Sequence, residues 1–109
     1  MKSFEYATPR TVDEAVEQLD DKWGETEVLA GGTDLVTCLK QGLTAPTRVV
    51  SLKAVKGLKG ISSAKGALTI GAMTTMGELA DHADLQKHFP ALATAAKNIA
   101  SPQLLSTGT

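Results

Sequence analysis

The stretch Val28-Leu29-Ala30-Gly31-Gly32-Thr33-Asp34-Leu35 is an apolar, strand-like run that breaks at two glycines and a hydroxyl residue just where a helix can begin. Glycines let the backbone turn sharply and approach a ligand closely. The first N–H groups of a helix lack internal partners and lie at the positive end of its dipole. The pattern therefore suits a phosphate, with Thr33 offering a hydroxyl donor. An ordinary tight strand-to-helix turn fits the same residues. Two phosphate signatures are excluded: GxGxxG needs a third glycine near Leu35, and GxxxxGK[ST] needs a Lys-Ser or Lys-Thr pair. A carboxylate beside a phosphate is repulsive, so Asp34 is expected to cap the following helix with its charge turned away.

Outward from this turn, the flanking segments predict strand, helix, strand, helix, strand. Phe4-Glu5-Tyr6 is a short strand, and Thr11-Val12-Asp13-Glu14 is a capping box opening a helix. Val12, Ala15, Val16 and Leu19 recur as one apolar stripe on that helix. Trp23, in the charged turn after it, is expected to pack its ring over the helix. Leu35, Val36 and Leu39 mark a second short helix closed by Gly42, and Arg48 to Leu52 is a third strand. This order implies a small parallel sheet with right-handed crossovers. It puts the Gly-Gly turn at the carboxyl end of a strand, where ligands of such sheets bind.

The pattern changes after Leu52. Gly60 to Ser63 and Ala67 to Ala72 flank Ala64-Lys65-Gly66 as a hairpin, and Thr75-Met76-Gly77-Glu78 offers a second capping box for a helix through Leu79. Pro90 to Ala100 is an alanine-rich helix with Leu92, Ala95, Ala96 and Ile99 on one face, ended by Ser101-Pro102. The expected division is residues 1–54, a βαβαβ subdomain, and 55–109, part of a second α+β subdomain. Ser101 to Thr109 reads as a loop entering a new element that is not finished, so a truncated protein is expected.

Other features narrow the function. A formal charge of −1 with interspersed signs gives no footprint for nucleic acid or an anionic membrane. No apolar run approaches the length of a spanning helix, and Met1 to Glu5 carries no signal-peptide core, so the cytoplasm is the expected compartment. Cys38 is the single cysteine, which excludes an internal disulfide and a cysteine-ligated cluster; on a helix it reads as a small buried hydrophobe. His82 and His88 form no zinc-like set and are expected to be solvent-exposed, while Met73 and Met76 are expected to fill core gaps.

Three segments in order, LAGGTDL at Leu29 to Leu35, TIGAMTTMGEL at Thr69 to Leu79 and SPQLLSTGT at Ser101 to Thr109, resemble the flavin-binding subunit of the molybdenum hydroxylases. This is the family of the carbon monoxide dehydrogenase medium subunits and the central domain of xanthine dehydrogenase. FEYATPRTVDEAVEQL and RVVSLKAVKGLKGI resemble it as well, so the likeness runs from about Phe4 to the last residue. It implies the α+β FAD-binding fold of the vanillyl-alcohol oxidase or p-cresol methylhydroxylase type. It also implies non-covalent FAD, with its diphosphate at Ala30, Gly31, Gly32, Thr33 and Asp34, and with Leu29 and Leu35 at the edges. The second motif implies cofactor contacts at Gly71, Ala72 and Thr74. Of the family's Thr-Ile-Gly-Gly-Asn motif only Thr109 is present, and Leu105-Ser106 stands where members often carry Arg-Asn. Ser101, Gln103 and Thr107 are weaker carry-overs. The implied partners are an iron–sulfur subunit with [2Fe-2S] clusters and a large molybdopterin subunit, with NAD or a quinone as electron acceptor. The resemblance nominates no catalytic acid, base or nucleophile. A non-enzymatic nucleotide- or phosphate-binding module and a flavin-free assembly fragment remain the alternatives.

Overall fold

The β-branched pair Val49-Val50 takes the centre of a sheet. In the computed structural model, which describes residues 1–99 and 101–109, β1 (Glu5–Ala7), β2 (Thr26–Leu29) and β3 (Arg48–Ser51) pair in the order β1-β3-β2. Both pairings are parallel, with Tyr6 and Glu27 opposite Val49 and Leu29 opposite Ser51. Because β3 is covered on both faces, Val49 and Val50 are only 1% and 0% exposed. The chain divides into two compact units, Met1–Gly57 and Leu58–Thr109.

In the first unit, α1 (Val12–Glu17) starts at Thr11, whose hydroxyl accepts the Glu14 N–H at 3.1 Å. Glu14 reaches back one residue beyond the expected capping box, accepting the Arg10 N–H at 2.9 Å. Thr11→Ala removes this cap and is expected to destabilise the first unit by about 1 kcal/mol, read as a lowered urea midpoint.

The predicted apolar stripe of α1 is largely not buried: Ala15 is in the core, but Val12, Val16 and Leu19 are half-exposed or more. α1 packs only lightly against the other elements, so the small Ala15 is covered while the larger side chains of the stripe stay open. Trp23 does not lie over α1; it is fully exposed, at 101%.

α2 (Leu35–Lys40) buries Leu39, while Leu35 and Cys38 are only partly covered and Val36 is exposed. It closes with Gly42 N–H donating to Leu39 O and Leu43 N–H to Cys38 O, the paired bonds of a Schellman ending.

In the second unit, β4 (Ile61–Ala64) and β5 (Ala67–Ile70) form an antiparallel hairpin. Its loop is tighter than expected, because Ala64 pairs with Ala67 and only Lys65 and Gly66 turn, both at positive φ as a type I′ turn requires. α3 (Met76–Asp81) is capped by Thr75, which accepts the Glu78 N–H at 3.2 Å. α4 (Ala83–His88) and α5 (Pro90–Lys97) follow, and α3 and α4 both pack on α5.

Leu79, Leu85 and Ala96 form the core, with Ile61, Leu68, Met76 and Ala80 against them, and Met73 is buried nearby in sequence. Of the predicted face of α5 only Ala96 is buried, together with Ala93; Leu92, Ala95 and Ile99 are exposed. Alanines let the neighbouring helix backbones approach, and the bulkier residues turn outward. The expected last residue of this helix, Ala100, lies outside the described residues. Ser101 to Leu105 is not a loop: Ser101 accepts the Leu104 N–H at 3.4 Å and caps a short helix, α6 (Pro102–Leu105).

Candidate functional site

The glycine turn lies in the first unit, immediately after β2. Gly32 takes φ +81°, and a Cβ added there would lie 3.0 Å from Leu29 Cδ1 and 3.2 Å from Val36 Cγ2. An L side chain at this position is strained by the backbone and crowded by both neighbours. Gly31 does not share the positive φ.

Val36 N–H donates to Gly32 O at 3.1 Å and Cys38 N–H to Asp34 O at 3.0 Å, which winds the chain into α2. Among the described residues, the N–H groups of Gly31, Gly32, Thr33, Asp34 and Leu35 make no hydrogen bond within the chain. A consecutive set of free donors on a glycine turn is the arrangement an anionic oxygen cluster needs. Asp34 stands at the N-cap position but its side chain forms no capping bond, contrary to expectation, and it is exposed. Its backbone is already helical, at φ −102° and ψ −47°, rather than in the extended conformation from which an N-cap side chain folds back.

Gly71, Ala72 and Thr74 lie in the second unit, in the turn between β5 and α3. Gly71 donates to Gly60 O at 2.9 Å and Met73 N–H donates to Leu58 O at 2.7 Å, so this turn is laced to the segment before β4. Thr74 is 2% exposed. Its hydroxyl donates to Gly60 O at 3.1 Å and accepts the Gly60 N–H at 3.2 Å, which uses its one donor within the fold. Ala72 is exposed and Gly71 partly so.

Thr109 follows Gly108, whose carbonyl accepts the Met76 N–H at 2.9 Å. The second and third sequence motifs thus meet at the start of α3. Gly77 permits it, since a Cβ there would lie 3.0 Å from Leu105 O.

Sequence reasoning missed a cleft of about 650 Å³ beside these residues, lined by Ile61, Thr75, Glu78, Asp81, His82 and Ser106 among others. His82 is not the exposed residue expected: it joins α3 to α4, is half-buried, and its Nδ1 is enclosed without a hydrogen-bond partner among the described residues. No glycine or proline marks the break between α3 and α4, so no sequence signal announced it. Among the described residues no group of three or more His, Cys, Asp or Glu is placed to hold a metal ion, and no helix is long and apolar enough to cross a membrane.

Comparison with known proteins agrees with the sequence motifs. The family described as "FAD binding domain in molybdopterin dehydrogenase" matches residues 2–109. The carbon monoxide dehydrogenase medium chain of Hydrogenophaga pseudoflava is 36% identical over 97% of this chain and 37% of its own length. The nicotinate dehydrogenase FAD-subunit of Eubacterium barkeri is 34% identical over 100% of this chain and 37% of its own. A solved structure of the H. pseudoflava carbon monoxide dehydrogenase superposes with a TM-score of 0.92 at 35% identity, covering 99% of this chain and 38% of that one. The chain thus spans a little over a third of the length of the relatives it matches.

Proposed function

The chain belongs to the family of FAD-binding domains of the molybdopterin dehydrogenases, and on that premise we propose that it forms part of the flavin site of an electron-transfer subunit. The observation that carries this reading is the turn at Gly31-Gly32, where a left-handed backbone conformation stands among five N–H groups that find no acceptor among the described residues. These donors, with the Thr33 hydroxyl, would hold the FAD diphosphate, and Leu29, Ala30 and Leu35 would bound it. The exposed Asp34 carboxylate, free of any capping bond, contributes through its backbone N–H.

Gly71 and Ala72 are proposed to line the cofactor through backbone. Thr74, with its hydroxyl engaged by Gly60, holds that turn in place. Thr109 is proposed to belong to the third contact segment. No residue of the chain is assigned as acid, base or nucleophile. When bound, FAD supplies the exchange of electrons between single-electron and two-electron carriers.

By analogy with the relatives, [2Fe-2S] clusters of a partner subunit deliver the electrons and NAD or a quinone removes them. A large molybdopterin subunit carries out the substrate oxidation, and the whole assembly works in the cytoplasm.

The test is flavin content and titration. The full-length product of the open reading frame is expected to bind FAD one-to-one and to release all of it on denaturation. Flavin that stays with acid-precipitated protein would contradict the non-covalent assignment; a protein without flavin that cannot be reconstituted would contradict the function. The 109-residue chain alone is expected to bind FAD poorly, because a cofactor of this size is held by convergent contacts that bury most of its surface. Saturable, submicromolar binding by the isolated chain, followed by flavin fluorescence, would overturn that expectation.

A further inference from the structure

The parallel sheet of the first unit aims the carboxyl ends of β1, β2 and β3 the same way, so the residues after each strand share one rim. β3 is the central strand, and Leu52 N–H donates to Leu29 O at 2.9 Å. This bond fixes the first residue beyond β3 beside the last residue of β2. Lys53 comes next, in the turn closed by Val55 N–H donating to Leu52 O at 3.1 Å. Its N–H donates to Ser51 Oγ at 3.3 Å, and Ser51 is itself buried, which sets the backbone direction at the rim.

Lys53 is exposed, and the one ion pair among the described residues is Arg48 with Glu5 at 3.2 Å, so no carboxylate engages the Lys53 ammonium. The rim has a need for that charge: the turn carries Asp34, whose carboxylate opposes an anionic ligand. Lys56 and Arg10 are also on this rim, tied together by Lys56 N–H to Arg10 O at 3.0 Å. They sit on the β1 side of β3. Adjacent strands are about 4.8 Å apart, so the β1 loop is about 10 Å from the β2 turn while Lys53, following the central strand, is one strand away, a distance its four-carbon stem spans when turned toward β2.

We propose that Lys53 is an electrostatic binding residue for the diphosphate of the nucleotide held at the Gly31-Gly32 turn. This rests on the flavin-site reading above. Lys53 acts as a point charge near the rim, offsetting Asp34, and adds affinity without fixing geometry, which the backbone donors do.

The experiment is FAD binding by the full-length product and its Lys53→Gln, Lys53→Glu and Lys53→Arg variants, by flavin fluorescence at low salt and at about 1 M salt. An exposed charge contact of this kind is expected to make Lys53→Gln about two- to fivefold weaker at low salt. Lys53→Glu is weaker still, and Lys53→Arg resembles the parent. The differences disappear at about 1 M salt, where the screening length is about 3 Å. Parent-like binding by Lys53→Gln and Lys53→Glu at low salt overturns the proposal, and so does a loss that persists undiminished at high salt, which marks a packing defect. A parent protein that binds no FAD at any salt overturns the flavin-site reading itself.

Discussion

Gly71→Ala is expected to destabilise the second unit by about 3 kcal/mol or more. A Cβ at this position would overlap Leu58 O, lie 2.6 Å from Leu58 C and lie 3.0 Å from Lys59 C. These are backbone atoms, so no side-chain rotation relieves the collision. The segment cannot slide away either, because Gly71 N–H to Gly60 O at 2.9 Å and Met73 N–H to Leu58 O at 2.7 Å bind the two strands of chain at the same point. Overpacking costs about 1–3 kcal/mol, and losing these hydrogen bonds adds about 1 kcal/mol each. Urea unfolding of the parent and variant measures the difference. A variant within about 0.5 kcal/mol of the parent would show that Leu58 and Gly71 do not cross as closely as described.

Gly32→Ala is expected to weaken FAD binding by at least about tenfold and to cost about 1–3 kcal/mol of stability. The stability loss comes mainly from the backbone, at φ +81°. The contacts to Leu29 Cδ1 and Val36 Cγ2 are with the ends of flexible side chains and relax in part. Relaxation of the strain moves the turn out of the left-handed region and redirects the N–H groups of Gly32 and Thr33. Gly24→Ala supplies the control: it carries the same strain, at φ +82° with open space around the added Cβ, but stands in the turn before β2. It is expected to lose comparable stability and keep FAD affinity. Equal effects of the two variants on flavin titration would argue that Gly32 matters for folding alone.

β2, β3 and β5 were legible because runs with β-branched residues are bounded by glycine and charge, β4 because it pairs with β5 across Lys65-Gly66, and β1 only from the aromatic pair Phe4 and Tyr6. The glycine turn after β2 was legible for the same reason. The strand order was not, since nothing local to Arg48–Ser51 says that it inserts between β1 and β2. Periodicity found α1 and α5 and placed Ala15 and Ala96 on their buried faces, but not the larger residues it grouped with them. Val12, Val16 and Leu19 stay open on a lightly packed α1, and Ala93 and Ala96 of α5 win the interior because small residues allow close helix approach. Trp23 found no partner in a turn that carries it away from α1.

Within the candidate site, Gly31-Gly32 could be read as a unit, but the positive φ falls on Gly32 alone. Gly71 reads as a hairpin residue in sequence, and its steric role depends on a carbonyl at Leu58 that only the fold brings across it. Thr74 reads as a cofactor contact, and only the structure shows its hydroxyl engaged by Gly60. Lys53 is one lysine among several until the topology puts it at the end of the strand next to the turn.

The most direct test of the flavin-site reading is a crystal structure of the full-length product with FAD bound, read as the distances from the diphosphate oxygens to the backbone nitrogens of Gly31 through Leu35. The account predicts several of them at hydrogen-bond length, about 2.7–3.2 Å. A diphosphate seated elsewhere, with all five nitrogens beyond hydrogen-bonding distance, would contradict it.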